Sequence, residues 1–502
     1  MSEIESQARN LYAQHEYAAA REMYDKLLKN NPHDDNLMIM LGNCYDGQGD
    51  KNAAAEWYDK ARRQNPHSLL ALTNLATALY ETGSYAKAQK ICEQALKLDD
   101  KNLPALINMG NIFYQQSNYD SALSFYRRAY EINSGYYIAA VNLANTYIDL
   151  KNYAEAAKFA SLATELDSSS VTAWTILGNA QLEQENFSDS LRAFQQAVKL
   201  DSSDFWLHNY LSQVWQKMEN WEQAFAEGWQ ALELSGGEDS QHINFGYLLY
   251  ESSLGKKDSL LKEYAEKWLK KYPENSVAKH MGNAVLNHSI PLRANDEYLT
   301  NIFDVFAPDF EQVLSGLDYQ APELIRKCLA RIYPEKKNPG LRILDAGCGT
   351  GFCGAFLQNY SRIFGLYGVD ISEKMLEQAK AKKCYSRLIR AELESYFSSN
   401  KKPFDLIVSA DVFTYFGDLQ NLFAGIASNL KKNGRIIFTV TENNENKNDY
   451  FLHPSGRYLH HKNYVKKVLK QCGMREEFFE SERLRNEGDS QVWGYMVSAV
   501  KE

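Results

Sequence analysis

Asp345, Gly347, Gly349 and Gly351 stand at alternate positions, and a second acid, Asp370, follows 19 residues after the last glycine. Glycine lets a backbone turn tightly and leaves room for a ligand against the main chain. An acid about 20 residues farther on is placed for ribose hydroxyls. The combination describes a site for a ligand carrying a nucleoside. Gly349, Gly351 and Gly354 also satisfy the dinucleotide spacing G-x-G-x-x-G, so spacing alone leaves a nicotinamide or other nucleotide open. Two other stretches carry chemistry. Asp411 and Tyr415 follow the apolar run Phe404 to Ser409, and Arg457, Tyr458 and His460 lie in the polar stretch His453 to His461. Histidine exchanges protons near neutrality, although adjacent histidines on a loop also read as simply solvated. Asp411 reads equally as the cap of the following turn.

Elements must bring these groups together. Arg342 to Leu344 reads as the end of an apolar strand that Asp345 closes, and Phe352 to Tyr360 as the following helix. Phe364 to Val369 reads as the second strand, Ser372 as the cap of a helix Glu373 to Lys382, and Cys384 to Ile389 as the third strand, with Glu392 after it. Phe404 to Ser409 is continuously apolar, as a buried parallel strand should be. A helix Asn421 to Leu430, a strand Arg435 to Thr441, a helix Asn463 to Gln471 and a hairpin of Glu477 to Arg483 with Val492 to Val500 complete the series. Alternating strands and helices predict a doubly wound sheet with its ligand at the carboxyl ends of the strands.

The run Asp345-x-Gly-x-Gly-x-Gly351 resembles motif I of class I S-adenosylmethionine-dependent methyltransferases. The resemblance covers roughly the last 165 residues. It implies a Rossmann-like seven-stranded domain whose last strand is antiparallel, with S-adenosyl-L-methionine as cofactor. Asp345, Gly347, Cys348, Gly349 and Gly351 would border the cofactor, Asp345 meeting its amino-acid end. Asp370 with Ile371 would take the ribose, and Glu392 the adenine amino group. Asp411 and Tyr415 would lie over the transferring methyl, with His460 as a third catalytic candidate and Arg457 and Tyr458 as acceptor contacts. Much of such catalysis is alignment, so no acid–base pair is required. An Asn/Asp-Pro-Pro-Tyr/Phe signature is absent, which weighs against the nucleic-acid and glutamine methylases that use it.

The preceding residues repeat with a period of 34. Ala61, Ala95, Ala129, Ala163, Ala197 and Ala231 form one column. Ala20, Ala54, Ala88, Ala122 and Ala156 form another, and Gly42, Gly110, Gly178 and Gly246 alternate with Ala76 and Ala144. Aromatics recur at Tyr17, Tyr85, Tyr119 and Tyr153. Small residues where helices cross, with aromatics between, are the mark of the tetratricopeptide repeat (TPR), a helix pair that buries its apolar stripe by stacking on its neighbours. Seven repeats run to about Leu234; a stretched eighth and a closing helix Ser276 to Leu286 follow. On the first helix of each pair, asparagines flank the small column: Asn74, Asn108, Asn111, Asn142, Asn145 and Asn179 among them. An amide offers two donors and an acceptor, which suits an extended peptide backbone. The arrangement resembles the asparagine ladder in the superhelix of O-GlcNAc transferase, and asparagine is also common at these positions in ordinary repeats.

Between the halves, Tyr298, Ile302, Phe303, Phe306 and Phe310 fall at helical spacing, interrupted at Pro308. In class I methyltransferases such a segment often covers the cofactor, and Tyr319 would reach the cofactor carboxylate. The stretch is similar to bacterial methyltransferases carrying this repeat arm. Aromatics packing a domain interface would give the same pattern.

The expected organisation is therefore α plus α/β: a TPR superhelix over 1–290, a linker and lid over 291–340, and a class I methyltransferase domain over 341–502. Residues 291–502 are expected to bind the cofactor by themselves. A net charge of −9 argues against a general nucleic-acid binder. The charged amino terminus has no signal-peptide core, and no run is apolar enough to span a membrane, so the expected location is cytoplasmic. Seven cysteines without a Cys-x-x-Cys pair or Cys/His cluster indicate neither a metal site nor a disulfide framework. The resemblances imply a methyltransferase, with a protein (lysine among the candidate targets) selected by the repeat arm. A small-molecule methyltransferase docked by its arm, and a non-catalytic scaffold, are the alternatives. Intact glycines and both acids speak against the last.

Overall fold

A computed structural model describes residues 3–254, 258–288, 290–334, 338–444, 448–487 and 490–502. Met1 and Ser2 of the charged amino-terminal segment lie outside the described residues. The chain divides into two compact units, 1–220 and 221–502.

The first unit is a series of helix pairs, beginning Glu3–Ala13 with Tyr17–Asn30 and Asp35–Gly47 with Lys51–Gln64, and ending with Phe205–Lys217. The small columns lie where helices touch. The columns of Ala61 and Ala20 are fully buried or nearly so through Ala197 and Ala156 respectively. A Cβ on Gly42, Gly110 or Gly178 would come within 2.4, 2.2 or 2.7 Å of Tyr58, Tyr126 or Phe194 on the paired helix, so each glycine admits an aromatic ring. Side chains of Asp34, Asp50, Ser68, Asn102, Asn118, Asn152 and Ser170 cap helix N-termini. A left-handed residue turns the chain inside each pair, at His15, Gly49, Gly83, Ser117, Lys151, Glu185 and Glu219, again 34 apart. Only two of these are glycines, which hides the column from a sequence reading.

The second unit holds the late repeat helices Trp221–Leu234, Asp239–Leu254, Asp258–Lys271 and Ser276–Leu286 together with the sheet. The closing helix has the expected bounds. The sheet strands are β1 (Leu341–Ala346), β2 (Ser361–Asp370), β3 (Arg387–Arg390), β4 (Phe404–Ser409), β5 (Leu430–Thr441), β8 (Met474–Glu487) and β9 (Ser490–Lys501). Two short strands, β6 (Tyr450–Leu452) and β7 (Tyr458–His460), form a separate hairpin. The seven-stranded order is β3-β2-β1-β4-β5-β9-β8; the first five strands are parallel, and β9 runs antiparallel to both β5 and β8. The fold class is thus helical repeats followed by a mostly parallel, Rossmann-like sheet, as expected. Leu344, Ile407, Phe413, Phe423 and Phe438 centre the core on one face of the sheet, and Ile343, Leu406, Ile437 and Leu329 on the other.

Two local expectations need correcting. The helix after the glycine turn is one turn only, Gly354–Leu357, not Phe352 to Tyr360. The polar stretch His453 to His461 is not simply a loop, because its end pairs as β7. Elsewhere bounds differ by a few residues; Ser372 caps Glu373–Ala381 through a 3.1 Å bond from the Met375 N–H, as its position implied.

Candidate functional site: a cavity at the carboxyl ends of the strands

At the switch point between β1 and β4, a cavity of about 420 Å3 opens above the glycine turn. Gly347, Gly349 and Gly351 all have positive φ, at 75°, 52° and 86°. A Cβ on Gly347 would strike Val412 at 2.4 Å, whereas one on Gly349 would meet only Phe310, at 3.8 Å. Gly349 therefore presents bare backbone to open space, as a close-approaching ligand requires. The turn is fastened to β2: the N–H groups of Gly347 and Cys348 donate to the Val369 carbonyl at 2.8 and 3.0 Å.

Three acids line this end. Asp345 is buried, and burial pushes its carboxyl up to about 7; Asp370 adds to the rise, while a bond from the Tyr385 hydroxyl, at 2.6 Å, opposes it. Asp370 accepts from the Gly349 N–H at 2.8 Å and from the Ser372 N–H at 3.0 Å. Its carboxyl is also pushed up by burial, against those bonds. Glu392 lines the cavity while capping Leu393–Ser399, its two oxygens accepting from the N–H groups of Glu394 and Ser395. Each carboxylate thus has a structural duty and retains lone pairs for a ligand. Cys348 and Ile371 line the same end.

The segment expected to be a lid covers it. Asp296–Phe306, a 3-10 turn Ala307–Asp309 and Phe310–Gly316 follow one another, so Pro308 breaks the helix where its spacing indicated. Asp304 accepts from Ser372, Gln378 donates to the Ala307 carbonyl, and Glu311 accepts from Thr350 at 2.8 Å and pairs with Lys382. Tyr319 lines the cavity and donates to the Ala410 carbonyl at 3.3 Å. Burial raises its hydroxyl well above the usual value.

The opposite end is aromatic and ionic. Tyr415, in a 3-10 turn after β4, packs edge-on to Phe303 at 5.4 Å. Asp411 takes a left-handed conformation (φ 57°) as its N–H donates to Thr439. Its Oδ2 pairs with Arg485 at 2.8 Å, while Oδ1 is buried without a partner among the described residues. Arg485 also donates to Glu487 at 2.7 Å, and Glu487 accepts from Arg457 and from the Tyr250 hydroxyl. Burial opposes the charge on Glu487, but Arg457 and Arg485 outweigh it and hold the carboxyl near 2.

Not every candidate comes to this cavity. Arg457 does, whereas Tyr458 is buried and donates to the Pro291 carbonyl at 2.9 Å. His460 is fully buried off the lining, with Nε2 on the Phe416 carbonyl at 2.7 Å and burial lowering it to about 4. All three residues of β7 are buried, and His460 is not among the residues that line the cavity. His461 instead caps Lys462–Gln471. The asparagines are in part internal ties. Asn74 donates to Asn43 at 3.2 Å, Asn142 to Asn111 at 3.1 Å, and buried Asn108 to Thr77 at 2.9 Å. Asn145 and Asn179 are half-buried, with no side-chain hydrogen bond among the described residues.

Sequence reasoning missed Tyr385, Arg485, Glu487, Tyr247 and Tyr250. Arg485 and Glu487 lie beyond the expected end of their strand, but their alternation in β8 was a usable signal. Tyr247 and Tyr250 sit on Asp239–Leu254, a repeat helix expected to belong to the arm, yet both line the cavity. The wall of the cavity therefore begins before residue 291.

A methyltransferase-domain model matches residues 337–479, and three tetratricopeptide-repeat models match 6–68, 67–134 and 113–177. Methyltransferase-like protein 27 of Homo sapiens is 41% identical over 101 residues, covering 20% of this chain and 39% of that protein. A malonyl-[acyl-carrier protein] O-methyltransferase of Magnetococcus marinus is 32% identical over 127 residues, covering 24% of this chain and 44% of that protein. The match thus spans less than half the length of either relative. A tetratricopeptide repeat protein of Parabacteroides merdae aligns at 20% identity over 50% of this chain and 99% of its own, with a TM-score of 0.37. The glycine turn, its acids and strands β1 to β7 lie in the first matched segment and the helix pairs up to residue 177 in the others, so the chain carries tetratricopeptide repeats in its amino-terminal part and a methyltransferase domain toward its carboxyl terminus.

Proposed function

We propose that the protein is an S-adenosylmethionine-dependent methyltransferase whose repeat array recruits a protein. The carrying observation is the acidic character of the glycine-turn end. Asp345, Asp370 and Glu392 line it, and the arginines of the cavity lining are each paired with an acid away from the glycine turn: Arg293 with Asp296 and Glu394, Arg457 with Glu487, and Arg485 with Asp411 and Glu487. A dinucleotide pyrophosphate wants a helix N-terminus and cationic partners; here the helix has a single turn and the neighbours are acids. A sulfonium ligand with an ammonium group suits those acids, and the bare backbone at Gly349 leaves it room. Such a ligand supplies an activated methyl group.

The chain's own residues would divide the work. Asp345 meets the amino-acid end, Asp370 the ribose, and Glu392 the adenine end. Tyr319 and the segment 296–316 exclude water. Asp411 is held at the cavity wall by Arg485. Tyr415 aligns the acceptor.

Recruitment rests on the repeats and on the unbonded amides of Asn145 and Asn179. Labelled methyl from S-adenosylmethionine, supplied with a cell extract and sorted by size, tests the reading. Label in a discrete protein, reduced several-fold in kcat/KM by Asn145→Ala with Asn179→Ala at unchanged cofactor affinity, is the expected result. Label confined to small molecules and indifferent to those changes would remove the array from recognition.

A further inference from the structure

The proposed reading leaves open what kind of group receives the methyl. The aromatic end of the cavity bears on this through two observations. The first is a guanidinium with donors to spare. Arg457 lines the cavity with 22% of its side chain exposed, and only Nη1 is bonded, to Glu487. Its Nε and Nη2 have no partner among the described residues. Tyr415, Asp411, Glu487 and Tyr247 line the same cavity and act on its charge. An arginine in a cavity with a free edge is built to take a planar anion through paired bonds.

The second is the state of the proton acceptors. An amine acceptor arrives as an ammonium ion and must lose a proton before it attacks. His460 is turned into the core. Glu487 already accepts three bonds, and Asp411 has one oxygen on Arg485 and the other buried away from the cavity space, with no partner among the described residues. Asp345, Asp370 and Glu392 belong to the glycine-turn end. The exposed Glu251 also lines the cavity, on the repeat helix. A carboxylate acceptor needs none of these as a base.

We infer that the acceptor is a carboxylate, held by the free edge of Arg457 against the wall that Tyr247 and Tyr250 supply from the repeat helix Asp239–Leu254. This rests on the methyltransferase reading above. One carboxylate oxygen forms the new C–O bond to the methyl carbon as the C–S bond breaks; that electron pair stays on sulfur, and no proton moves. An anion and a sulfonium become an ester and a neutral thioether. The aromatic side chains Tyr247, Tyr250, Phe303, Phe306 and Tyr415 on this wall suit a step that removes charge from both partners. Arg457 keeps its place because Glu487, itself held by Arg485 and Tyr250, anchors Nη1. The repeat helix Asp239–Leu254 thereby shapes the acceptor site.

The test uses the full-length chain, S-adenosylmethionine labelled in the methyl group, and a cell extract split into macromolecular and small-molecule fractions as acceptors. The label is expected to be released as methanol by mild alkali, as esters release it. Its fraction distinguishes a protein carboxylate from a small acid. Arg457→Met should lower transfer at least about ten-fold, the loss of one charged hydrogen-bonding partner, while calorimetric S-adenosylhomocysteine affinity stays within two-fold. Tyr247→Phe, which keeps the ring, should fold as wild type and raise KM for the acceptor more than it lowers kcat. Alkali-stable label would overturn the inference and leave the methyltransferase reading standing. No transfer to either fraction, by a chain that binds S-adenosylhomocysteine, would overturn both.

Discussion

Oδ2 of Asp370, at the end of β2, accepts from the backbone N–H of Gly349 at 2.8 Å, so the acid proposed for the ribose also holds the turn proposed to face it. Its other oxygen fixes Ser372, whose side chain caps the next helix.

Asp370→Ala should therefore weaken more than ligand binding. It leaves two backbone N–H groups without their acceptor, and an unsatisfied buried donor costs about 1–3 kcal/mol. The ligand-free melting temperature should fall by roughly 5 °C or more, together with S-adenosylhomocysteine affinity. A scanning calorimetry trace that matches wild type would show that the bonds to Gly349 and Ser372 contribute little.

The placement of the repeat helices makes a second prediction. Tyr250 donates to Glu487 at 2.7 Å, His280 bonds the Gly456 carbonyl at 2.8 Å, and His280 stacks within 4.0 Å of Tyr298. A fragment of residues 291–502 loses all three contacts and one wall of the cavity. It should melt well below a fragment of 221–502, and only the longer one should bind S-adenosylhomocysteine as the whole chain does. Equal behaviour of the two fragments would return the working boundary to residue 291.

Acid should act on the second unit through its buried histidines. Burial lowers His242, His280 and His460 from the usual 6.5 to about 4. A depressed value means that the folded state favours the neutral ring. The stability is present above about 6.5 and is lost as pH falls toward 4, because the unfolded chain takes up protons that the folded chain refuses. His242 shows why: its Nδ1 accepts from the Trp268 indole at 2.8 Å and cannot do so when protonated. His242→Gln should flatten the decline in melting temperature between pH 6.5 and 4. A variant with the wild-type slope would place the acid sensitivity elsewhere.

Much of this was legible in the residues. The 34-residue columns marked both helices of each pair because small side chains are obligatory where an aromatic crosses, as at Gly110 beneath Tyr126. The glycine turn was legible for a different reason: three positive φ values at alternate positions favour glycine. The boundary was not, since Asp239–Leu254 carries the repeat pattern of a stacking helix, and nothing in that pattern tells that Tyr247 and Tyr250 face a cavity. Nor was the inward face of His460, which depends on the register of β7 with β6 and not on the polar character of its neighbours. Arg485 and Asp411 are 74 residues apart, and a pair closed by sheet topology leaves no local trace.

The central claim is that the cavity over Gly347 to Gly351 takes S-adenosylmethionine. Calorimetric titration of the whole chain with S-adenosylhomocysteine, beside Gly349→Ala, tests it most directly. Gly349 has space for a Cβ, so alanine meets no clash and bears only the cost of its left-handed φ of 52°, about 1–2 kcal/mol; the variant should still fold while the methyl group intrudes on the ligand. The account predicts one-to-one binding by the wild type and at least about a ten-fold loss in the variant, the equivalent of about 1.4 kcal/mol. Binding of NADH with none of S-adenosylhomocysteine, or equal affinity in both chains, would contradict it.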